Sequence, residues 1–197
     1  DDFDHFEPYL EKSFKRLPIL ENAGIRKFFS GPESFTPDTQ YLLGETPEVS
    51  NLFTCSGFNS IGIASSGGAG RVTAEWMING YMNEDLYSLD IKRFQKFHSS
   101  KKFIMNRVTE TLGDLYGMHW PYKQHKTSRD QRLLPYHDEL KKSGACFGQS
   151  GEYERPMWYA LNGSKPEYDY SFKYQNWYPS VEHECKNTIE NVGLFEL

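Results

Sequence analysis

The 197-residue sequence predicts an α+β fold, and three patterns carry this prediction. Apolar residues recur at helical spacing near the beginning, in the middle and near the end of the chain. Short apolar or alternating runs, bounded by Gly, Pro, Asn and Asp, predict strands between residues 25 and 57. A glycine-rich stretch, residues 57–70, joins the last of these strands to a helix.

The first segment is predicted to be an amphipathic helix over residues 3–17, which Pro18 helps to end. Its apolar positions, spaced three and four apart, are Phe3, Phe6, Leu10, Phe14 and Leu17. Strands are then predicted in residues 25–31, 40–45 and 51–57. The first two are separated by "GPESFTPD", a loop stiffened by its prolines.

Two further helices are predicted in the middle of the chain. The first follows the glycine stretch and is expected to stop at Gly80. Its shared face holds Ala69, Val72, Thr73, Trp76 and Met77. The second begins behind a cap at Ser99 or Ser100 and is expected to close at Gly117. Its apolar positions are Ile104, Val108, Thr111, Leu112 and Leu115.

Residues 118–175 are rich in aromatics, prolines and charges and have little periodicity. We expect loops there, with a short helix near residues 136–142 and a few strands. A last helix is predicted behind Pro179 and Ser180, with Gly193 as its stop. Its apolar stripe comprises Val181, Cys185, Thr188, Ile189 and Val192. Residues 194–197 are expected to form a strand.

Composition excludes several classes of partner. The net charge is −5 and the sequence pI is about 5.7, with Lys and Arg scattered among acidic residues, so we expect no nucleic-acid partner. No apolar run approaches the roughly 18 to 20 residues of a membrane span. Residues 1–4 lack the basic and apolar regions of a signal peptide. They also lack a Met, so the sequence is expected to be a piece of a longer chain.

The three cysteines, Cys55, Cys146 and Cys185, are far apart and have no CxxC spacing. Structural zinc is therefore not expected. Buried thiols in a reducing compartment, either the cytoplasm or the mitochondrial matrix, are the favoured interpretation.

Residues 57–70 hold five of the chain's 16 glycines. Because glycine has no side chain, glycines at a helix start let a ligand approach the backbone closely, and the helix dipole favours negative charge there. The spacing is neither GxGxxG nor GxxxxGK[ST], so it does not predict a dinucleotide cradle or a P-loop. Two hypotheses remain: a contact with an anion or cofactor, or a tight connection in which glycines allow close packing.

Other polar residues do not identify a catalytic group or a metal site. The six histidines have no Ser or Cys partner at a recognised spacing, so surface or structural roles are favoured. "EHEC", residues 182–185, cannot converge on one ion, because helix neighbours point about 100° apart. Asp38 and Glu45 either position an amine substrate or are solvated turn residues, the latter being favoured. Tyr41 and Phe58 either line a substrate pocket or, as we favour, fill the core.

Four motifs in order carry a family resemblance: "GPESFTPD", "LLGETPEV", "NLFTCSGFNSIGIASSGGAGRVTAEWMINGY" and "LDIKRF". Together they resemble the end of the FAD-dependent, glutathione-reductase-like amine oxidase domain of the dimethylglycine and sarcosine dehydrogenases. By this resemblance, residues 1–94 form the end of that domain and residues 95–156 a small central domain. Residues 157–197 are similar to the start of a folate-binding, aminomethyltransferase-like domain. The sequence has Thr39 where members of the family usually have glycine.

The resemblance implies an FAD cofactor, with tetrahydrofolate as a second candidate, and oxidation of an N-methyl amine such as dimethylglycine or sarcosine. It places one loop beside the N1 and C2 carbonyl edge of the flavin ring: Gly57, Phe58, Asn59, Ser60, Ile61, Gly62 and Ile63. Asn59 and Ser60 either contact flavin or substrate, or bond their own backbone. The family's dinucleotide motif is expected upstream, on the remainder of the same polypeptide. A non-catalytic homologue, similar to the pyruvate dehydrogenase phosphatase regulatory subunit, is the alternative.

Overall fold

A computed structural model describes residues 2–195 of the chain. The chain divides into two compact units, Asp1–Ser34 and Phe35–Leu197. Helices and two small sheets occur along the described residues, which confirms the α+β class. Within residues 2–195, none of the helices has the length and hydropathy that a membrane crossing requires.

The first unit is built on helix α1, Phe3–Arg16, as the periodicity predicts. The Asp2 carboxylate caps it by accepting a bond of 3.0 Å from the His5 N–H. A 3-10 turn, Pro18–Asn22, follows. The strand predicted over residues 25–31 is wrong: this stretch is irregular. Its Phe28 ring packs instead against Phe6 of α1, with the ring centroids 5.3 Å apart.

The second unit begins with a hairpin of β1, Leu42–Glu45, and β2, Phe53–Ser56, which pair antiparallel. Both predicted strands are therefore confirmed. Leu43 of β1 is 1% exposed and forms the core with Ala69 and Leu89. A side chain at Gly44 would lie 2.4 Å from the Trp76 ring, so only glycine allows this close approach.

Helix α2, Gly62–Asn79, follows β2 and packs against the hairpin. Four of the five residues predicted on its shared face are buried, and Gly80 ends the helix as predicted. Met77, the fifth, is 57% exposed. The helix begins earlier than the glycine content suggests, so Gly67, Gly68 and Gly70 belong to the helix and not to the loop.

Helix α3, Lys101–Asp114, is capped by Ser100 as predicted, but it ends three residues before Gly117. Its buried positions are Phe103, Arg107 and Thr111, whereas the predicted core residues Ile104 and Leu112 are 40% and 41% exposed. The buried face of α3 therefore differs from the predicted one. The reason is that the Arg107 guanidinium lies inside, where it donates to two loop carbonyls and to a glutamine side chain. The acceptors are Thr127 O, Ser128 O and Gln149 Oε1.

The second sheet has the strand order β3-β5-β4. Its strands are β3, Arg132–Leu133, β4, Ala145–Ser150, and β5, Tyr153–Tyr159. The short helix α4, His137–Lys142, confirms the helix predicted near residues 136–142. Trp158 of β5 and Cys146 of β4 are 2% and 3% exposed and form the inner face of the β4–β5 pair.

Helix α5, Tyr178–Glu190, ends three residues before Gly193. Its predicted apolar stripe is largely exposed, with Ile189 at 84%. Leu194 and Phe195 are irregular, and the rest of the strand predicted at residues 194–197 lies outside the described residues.

The three cysteines are free. Cys146 is buried as predicted, and burial raises the pKa of its thiol to about 11. The expectation of burial is wrong for Cys55 and Cys185, which are exposed. Cys55 lies on β2, the edge of a two-stranded sheet, and Cys185 on the uncovered face of α5.

A partly buried ion pair joins β5 to the loop before β3. Glu154 is fully buried, and its carboxylate accepts bonds from the Arg129 guanidinium, including one of 2.8 Å from Nε, and from the Asp130 N–H at 3.0 Å. Burial alone would raise the pKa of Glu154, but these hydrogen bonds outweigh it and hold the pKa below its usual value.

We expect Glu154→Gln to lower the free energy of unfolding by about 1.5 to 3 kcal/mol, because it leaves the partly buried Arg129 guanidinium without the negative charge that it pairs with. A depressed carboxyl pKa stabilises the fold above the unfolded-state value, and that stability is lost as pH falls through the folded pKa. The wild type should therefore lose more stability than Glu154→Gln when pH falls below about 4. Urea unfolding at several pH values measures this.

The control is Glu182→Gln on α5, which breaks the exposed Glu182–Lys186 pair. This variant should unfold like the wild type at neutral pH, since exposed pairs contribute little. Equal losses in both variants would contradict the role assigned to Glu154.

Candidate functional site

The loop that joins β2 to α2 has an unusual backbone. Gly57 has φ +69° and is buried, and a side chain there would come within 2.7 Å of the Thr36 methyl group. Asn59 and Ser60 follow with φ of 49° and 67°, in the left-handed region that non-glycine residues seldom adopt. The chain therefore turns sharply between strand and helix, in a conformation that needs support from its surroundings.

The support comes from the Asn59 side chain, which is 2% exposed. Its Oδ1 accepts a bond of 2.9 Å from the Thr36 N–H. Its Nδ2 donates to Gly57 O at 2.6 Å and to Thr36 Oγ1 at 3.1 Å. Of the two roles predicted for Asn59, the geometry favours bonding to its own backbone, because both ends of the amide are already engaged within the protein.

The loop that contains Thr36, residues 36–40, is held in turn by Arg93. Its guanidinium donates to both oxygens of Asp38, at 2.7 and 3.1 Å, and to Gln40 O at 2.9 Å. Thr36 Oγ1 donates to the same Gln40 carbonyl at 2.8 Å. Asp38 is thus ion-paired and not the solvated carboxylate that the sequence favours. Thr39 next to it has φ 59°, a left-handed conformation that glycine adopts without strain.

The remaining pocket candidates have structural contacts. Tyr41 and Phe58 stack with ring centroids 4.9 Å apart and pack on the core of Leu43 and its neighbours, in agreement with the favoured interpretation. Glu45 Oε1 accepts from the Asn51 N–H at 2.7 Å, which places this carboxylate in the β1–β2 turn.

The start of α2 faces outward. The Ile61 N–H bonds to Phe58 O, and the first bond of the helix runs from the Ser65 N–H to Ile61 O, so the amides of residues 62–64 precede the helical ladder. Ile61, at the N-cap position, provides no side-chain cap. Ile61 is 45% exposed and Ile63 is 99% exposed. This end of the helix can therefore accept a neighbour with a carbonyl or negative edge.

The loop residues named from the sequence divide into two groups. Gly57, Phe58 and Asn59 point inward and fix the loop. Ser60, Ile61, Gly62 and Ile63 lie wholly or partly at the surface. Sequence reasoning gave no role to Thr36 and Arg93, although both lie in the quoted motifs "GPESFTPD" and "LDIKRF". Their contacts join segments more than 20 residues apart, so local pattern carried no signal for them.

Cavities lie elsewhere in the second unit. One of about 420 Å³ is lined by polar and aromatic residues that include Asp114, His119, Lys123 and His125. Lys123 donates to Asp114 Oδ2 at 2.6 Å, so the charges of these two cavity residues are already paired with each other. A second, of about 640 Å³, has a mainly aromatic lining. The loop residues 57–63 line neither of these two cavities.

The described histidines form no metal centre. Among residues 2–195, no cluster of His, Cys, Asp and Glu has the geometry of a metal site. His98 and His137 are buried, and each stacks on a phenylalanine ring, which agrees with a structural role. His125 has its pKa lowered by burial and by the nearby Arg107, so the imidazole is neutral at pH 7.

Comparison with known proteins supports the family resemblance. Residues 79–133 match the family described as "FAD dependent oxidoreductase central domain". The whole chain is 42% identical to the 4-methylaminobutanoate oxidase (formaldehyde-forming) of Paenarthrobacter nicotinovorans. It is 36% identical, again over its whole length, to the mitochondrial pyruvate dehydrogenase phosphatase regulatory subunit of Mus musculus. Over 86% of its length it is 37% identical to human mitochondrial sarcosine dehydrogenase.

The chain spans about a quarter of the length of these relatives, namely 24%, 23% and 19%. The resemblance predicted from the motifs is confirmed. The boundaries at residues 94 and 156 and the flavin contacts of residues 57–63 remain predictions.

The Asn59 amide should be required for the loop conformation. We expect Asn59→Gly to lower the free energy of unfolding by about 2 kcal/mol, because glycine keeps the left-handed backbone but leaves the Thr36 N–H and Gly57 carbonyl unpaired. Asn59→Ala should cost about 1 kcal/mol more, from the left-handed φ. Guanidinium unfolding measures both.

Asn51→Gly is the matched control, since Asn51 also has a left-handed φ of 63° but is exposed in a hairpin turn. Its effect should stay within about 0.5 kcal/mol. If Asn59→Gly were equally mild, the hydrogen bonds of Asn59 would not be what fixes the loop.

Proposed function

We propose that this chain is a segment of an FAD-dependent oxidoreductase that oxidatively demethylates an N-methyl amine, with the loop of residues 57–63 lying against the flavin ring. The observation that carries the proposal is the start of α2, which faces outward from a rigid loop without a side-chain cap from Ile61. Similarity over the full chain to a 4-methylaminobutanoate oxidase, and over most of it to a sarcosine dehydrogenase, supports the substrate class.

The residues present fit a flavin edge. The amides of residues 62–64 precede the helical ladder and carry the positive end of the helix dipole. Reduced flavin carries negative charge near N1 and the C2 carbonyl, so amide hydrogens directed there would stabilise the product of hydride transfer more than the reactant. The hydrogen bonds of the Asn59 side chain keep these amide donors in place, so that they need not reorganise during the reaction.

The bound flavin would supply the redox chemistry, by accepting a hydride from the N-methyl carbon and leaving an iminium on the substrate. The chain's own part is to orient the ring edge and exclude water beside it. Hydrolysis of the iminium would release formaldehyde, as the name of the Paenarthrobacter relative indicates for that enzyme. Transfer of the one-carbon unit to tetrahydrofolate is the other outcome. Dimethylglycine, sarcosine and 4-methylaminobutanoate are the substrates to test first.

The domain arrangement belongs to the same proposal. Residues 1–94 would complete an FAD domain whose dinucleotide motif lies on the remainder of the polypeptide. Residues 95–156 would form the central domain, a range that overlaps the family match over residues 79–133, and residues 157–197 would begin an aminomethyltransferase-like domain. Three free cysteines support a reducing compartment, which is the mitochondrial matrix if the protein follows its mitochondrial relatives and the cytoplasm otherwise.

A non-catalytic regulatory protein is the second candidate. It is favoured by the 36% identity to the pyruvate dehydrogenase phosphatase regulatory subunit, which extends over the whole chain. Such a protein would keep the hydrogen bonds of the Asn59 side chain and the start of α2, since these are structural. It would not oxidise an amine.

The visible spectrum of the full-length protein tests the proposal. We expect an oxidised flavin band that bleaches when sarcosine, dimethylglycine or 4-methylaminobutanoate is added without oxygen, because the amine reduces the flavin. Alanine serves as the control amine, as it lacks an N-methyl group. A protein without flavin would contradict the cofactor assignment, and a flavin that none of the amines bleaches would favour the regulatory alternative.

A proline substitution can isolate the contribution of one backbone N–H of α2 to flavin reduction. Ile63→Pro removes one first-turn N–H at a helix position that tolerates proline. We expect flavin reduction by the best substrate to slow about 10- to 100-fold in stopped-flow absorbance, as when a single oxyanion donor is lost.

The control is Ile63→Ala, which removes the same exposed side chain but keeps the amide. It should react at nearly the wild-type rate. Equal rates in the proline and alanine variants would mean that this amide does not face the developing charge.

A further inference from the structure

The cavity of about 420 Å³ is lined mainly by residues from the C-terminal end of α3 and from the stretch 119–125. Thr39, next to the Asp38 carboxylate that Arg93 holds, also lines it. Its volume is within the range of sites that bind small molecules. Because residues 57–63 do not line this cavity, a site in it is separate from the proposed flavin contact.

One wall of the cavity is fixed from behind by hydrogen bonds. The Gln124 N–H donates to the Tyr170 hydroxyl at 2.9 Å, and Gln124 Oε1 accepts from the Gln149 N–H at 2.9 Å. Gln175 Nε2 donates to Pro121 O at 2.9 Å, between two lining residues. The wall therefore has its shape before a ligand enters, which lowers the ordering cost of binding.

The lining contains one carboxylate and one ammonium group, those of Asp114 and Lys123, whose Oδ2 and Nζ atoms are 2.6 Å apart. The two side chains are 31% and 25% exposed, so solvent screens them less than a fully exposed pair. In the part of the chain that the structure describes, Asp114 Oδ1 accepts no hydrogen bond and Lys123 Nζ donates only this one. Each group therefore keeps bonding capacity for a ligand.

The rest of the lining supplies apolar surface and neutral polar groups beside this pair. The apolar surface comes from Leu115, Trp120 and Tyr122. The His125 imidazole makes no hydrogen bond to the described residues. Burial and the nearby Arg107 lower its pKa, so at pH 7 it offers a donor and an acceptor but no charge. The cavity thus presents two opposite charges next to an apolar wall.

We infer that this cavity is a binding site for a free α-amino acid with an apolar side chain. The ammonium group of the ligand lies against Asp114 and its carboxylate against Lys123, while its side chain packs on Trp120. The oxidation proposed above requires an N-methyl group, which such an amino acid lacks. The site therefore adds a second binding function, which depends on neither the flavin nor turnover.

The close contact between Asp114 and Lys123 selects this class of ligand. In an α-amino acid both charged groups are bonded to one carbon, so they lie about as close together as the two charges of the pair. The four charges can then alternate in sign. A ligand with a single charge is attracted by one member of the pair and repelled by the other.

Isothermal titration calorimetry of the full-length protein tests the inference. L-leucine is compared with 4-methylpentanoate, which has the same skeleton without the amino group, and with 3-methylbutylamine, which lacks the carboxylate. L-leucine should bind at least about 10-fold more tightly than either analogue, because each analogue loses one charged hydrogen bond. Equal affinities, or no saturable heat from L-leucine at millimolar concentrations, would overturn the inference.

Hydrogen exchange of the same protein locates the bound amino acid. L-leucine should slow exchange in peptides that cover residues 111–125 and leave residues 57–63 unchanged. Protection that leaves out residues 111–125 would overturn the inference, whether it falls on residues 57–63 or elsewhere. Neither measurement uses the flavin, so a protein without flavin would contradict the proposed function and leave this test intact.

Removal of one charge should reverse the ligand preference. Asp114→Asn leaves the Lys123 ammonium alone in the cavity, so 4-methylpentanoate should bind more tightly than L-leucine. Lys123→Gln leaves the Asp114 carboxylate alone, so 3-methylbutylamine should bind most tightly. The control is Glu182→Gln, which breaks a pair with Lys186 on α5, outside the cavity, and should keep the wild-type order. The wild-type order in both cavity variants would show that this pair does not bind the ligand and would overturn the inference.

Discussion

The side-chain amide of Asn59 fixes the part of the molecule on which the candidate site depends. It joins two segments that are 23 residues apart, and it does so through both its donor and its acceptor. Because it is 2% exposed, water cannot replace these bonds without opening the loop. The left-handed backbone at residues 59 and 60 persists because the side chain and the Thr36 loop together determine it.

The hydrogen bonds of the Asn59 side chain divide the loop into an inner side and an outer side, which have different roles. The inner side is locked by Asn59, by the Arg93 bonds to Asp38 and by the stack of Phe58 on Tyr41. The outer side presents the first turn of α2, where the Ile61 and Ile63 side chains are exposed and Ile61 provides no cap. Rigid support behind an open helix terminus is what electrostatic stabilisation of a developing charge requires, since the donors must be in place beforehand.

The sequence predicts the elements better than it predicts what covers them. Periodicity and stop signals locate α1, α5, the C-terminal end of α2 and the strands β1 and β2 to within a few residues, whereas α2 begins at Gly62, well before the predicted start. The strand predicted at residues 25–31 fails because a strand needs a ladder partner, which local composition does not reveal. The face of α3 is misjudged for a related reason: Arg107 is buried by acceptors that are 20 to 42 residues away. Long-range contacts of this kind override local periodicity.

The glycine stretch shows the same limit within one motif. Its glycines serve two separate purposes, which the sequence alone merges into one loop. Gly57 is required by a left-handed turn against Thr36, a cause that lies inside the chain. Gly67 and Gly70 sit in a regular helix with open space around them, so no contact among the described residues requires glycine there. The same residue type thus marks a backbone requirement at position 57 and no such requirement at positions 67 and 70, a distinction that spacing along the sequence does not make.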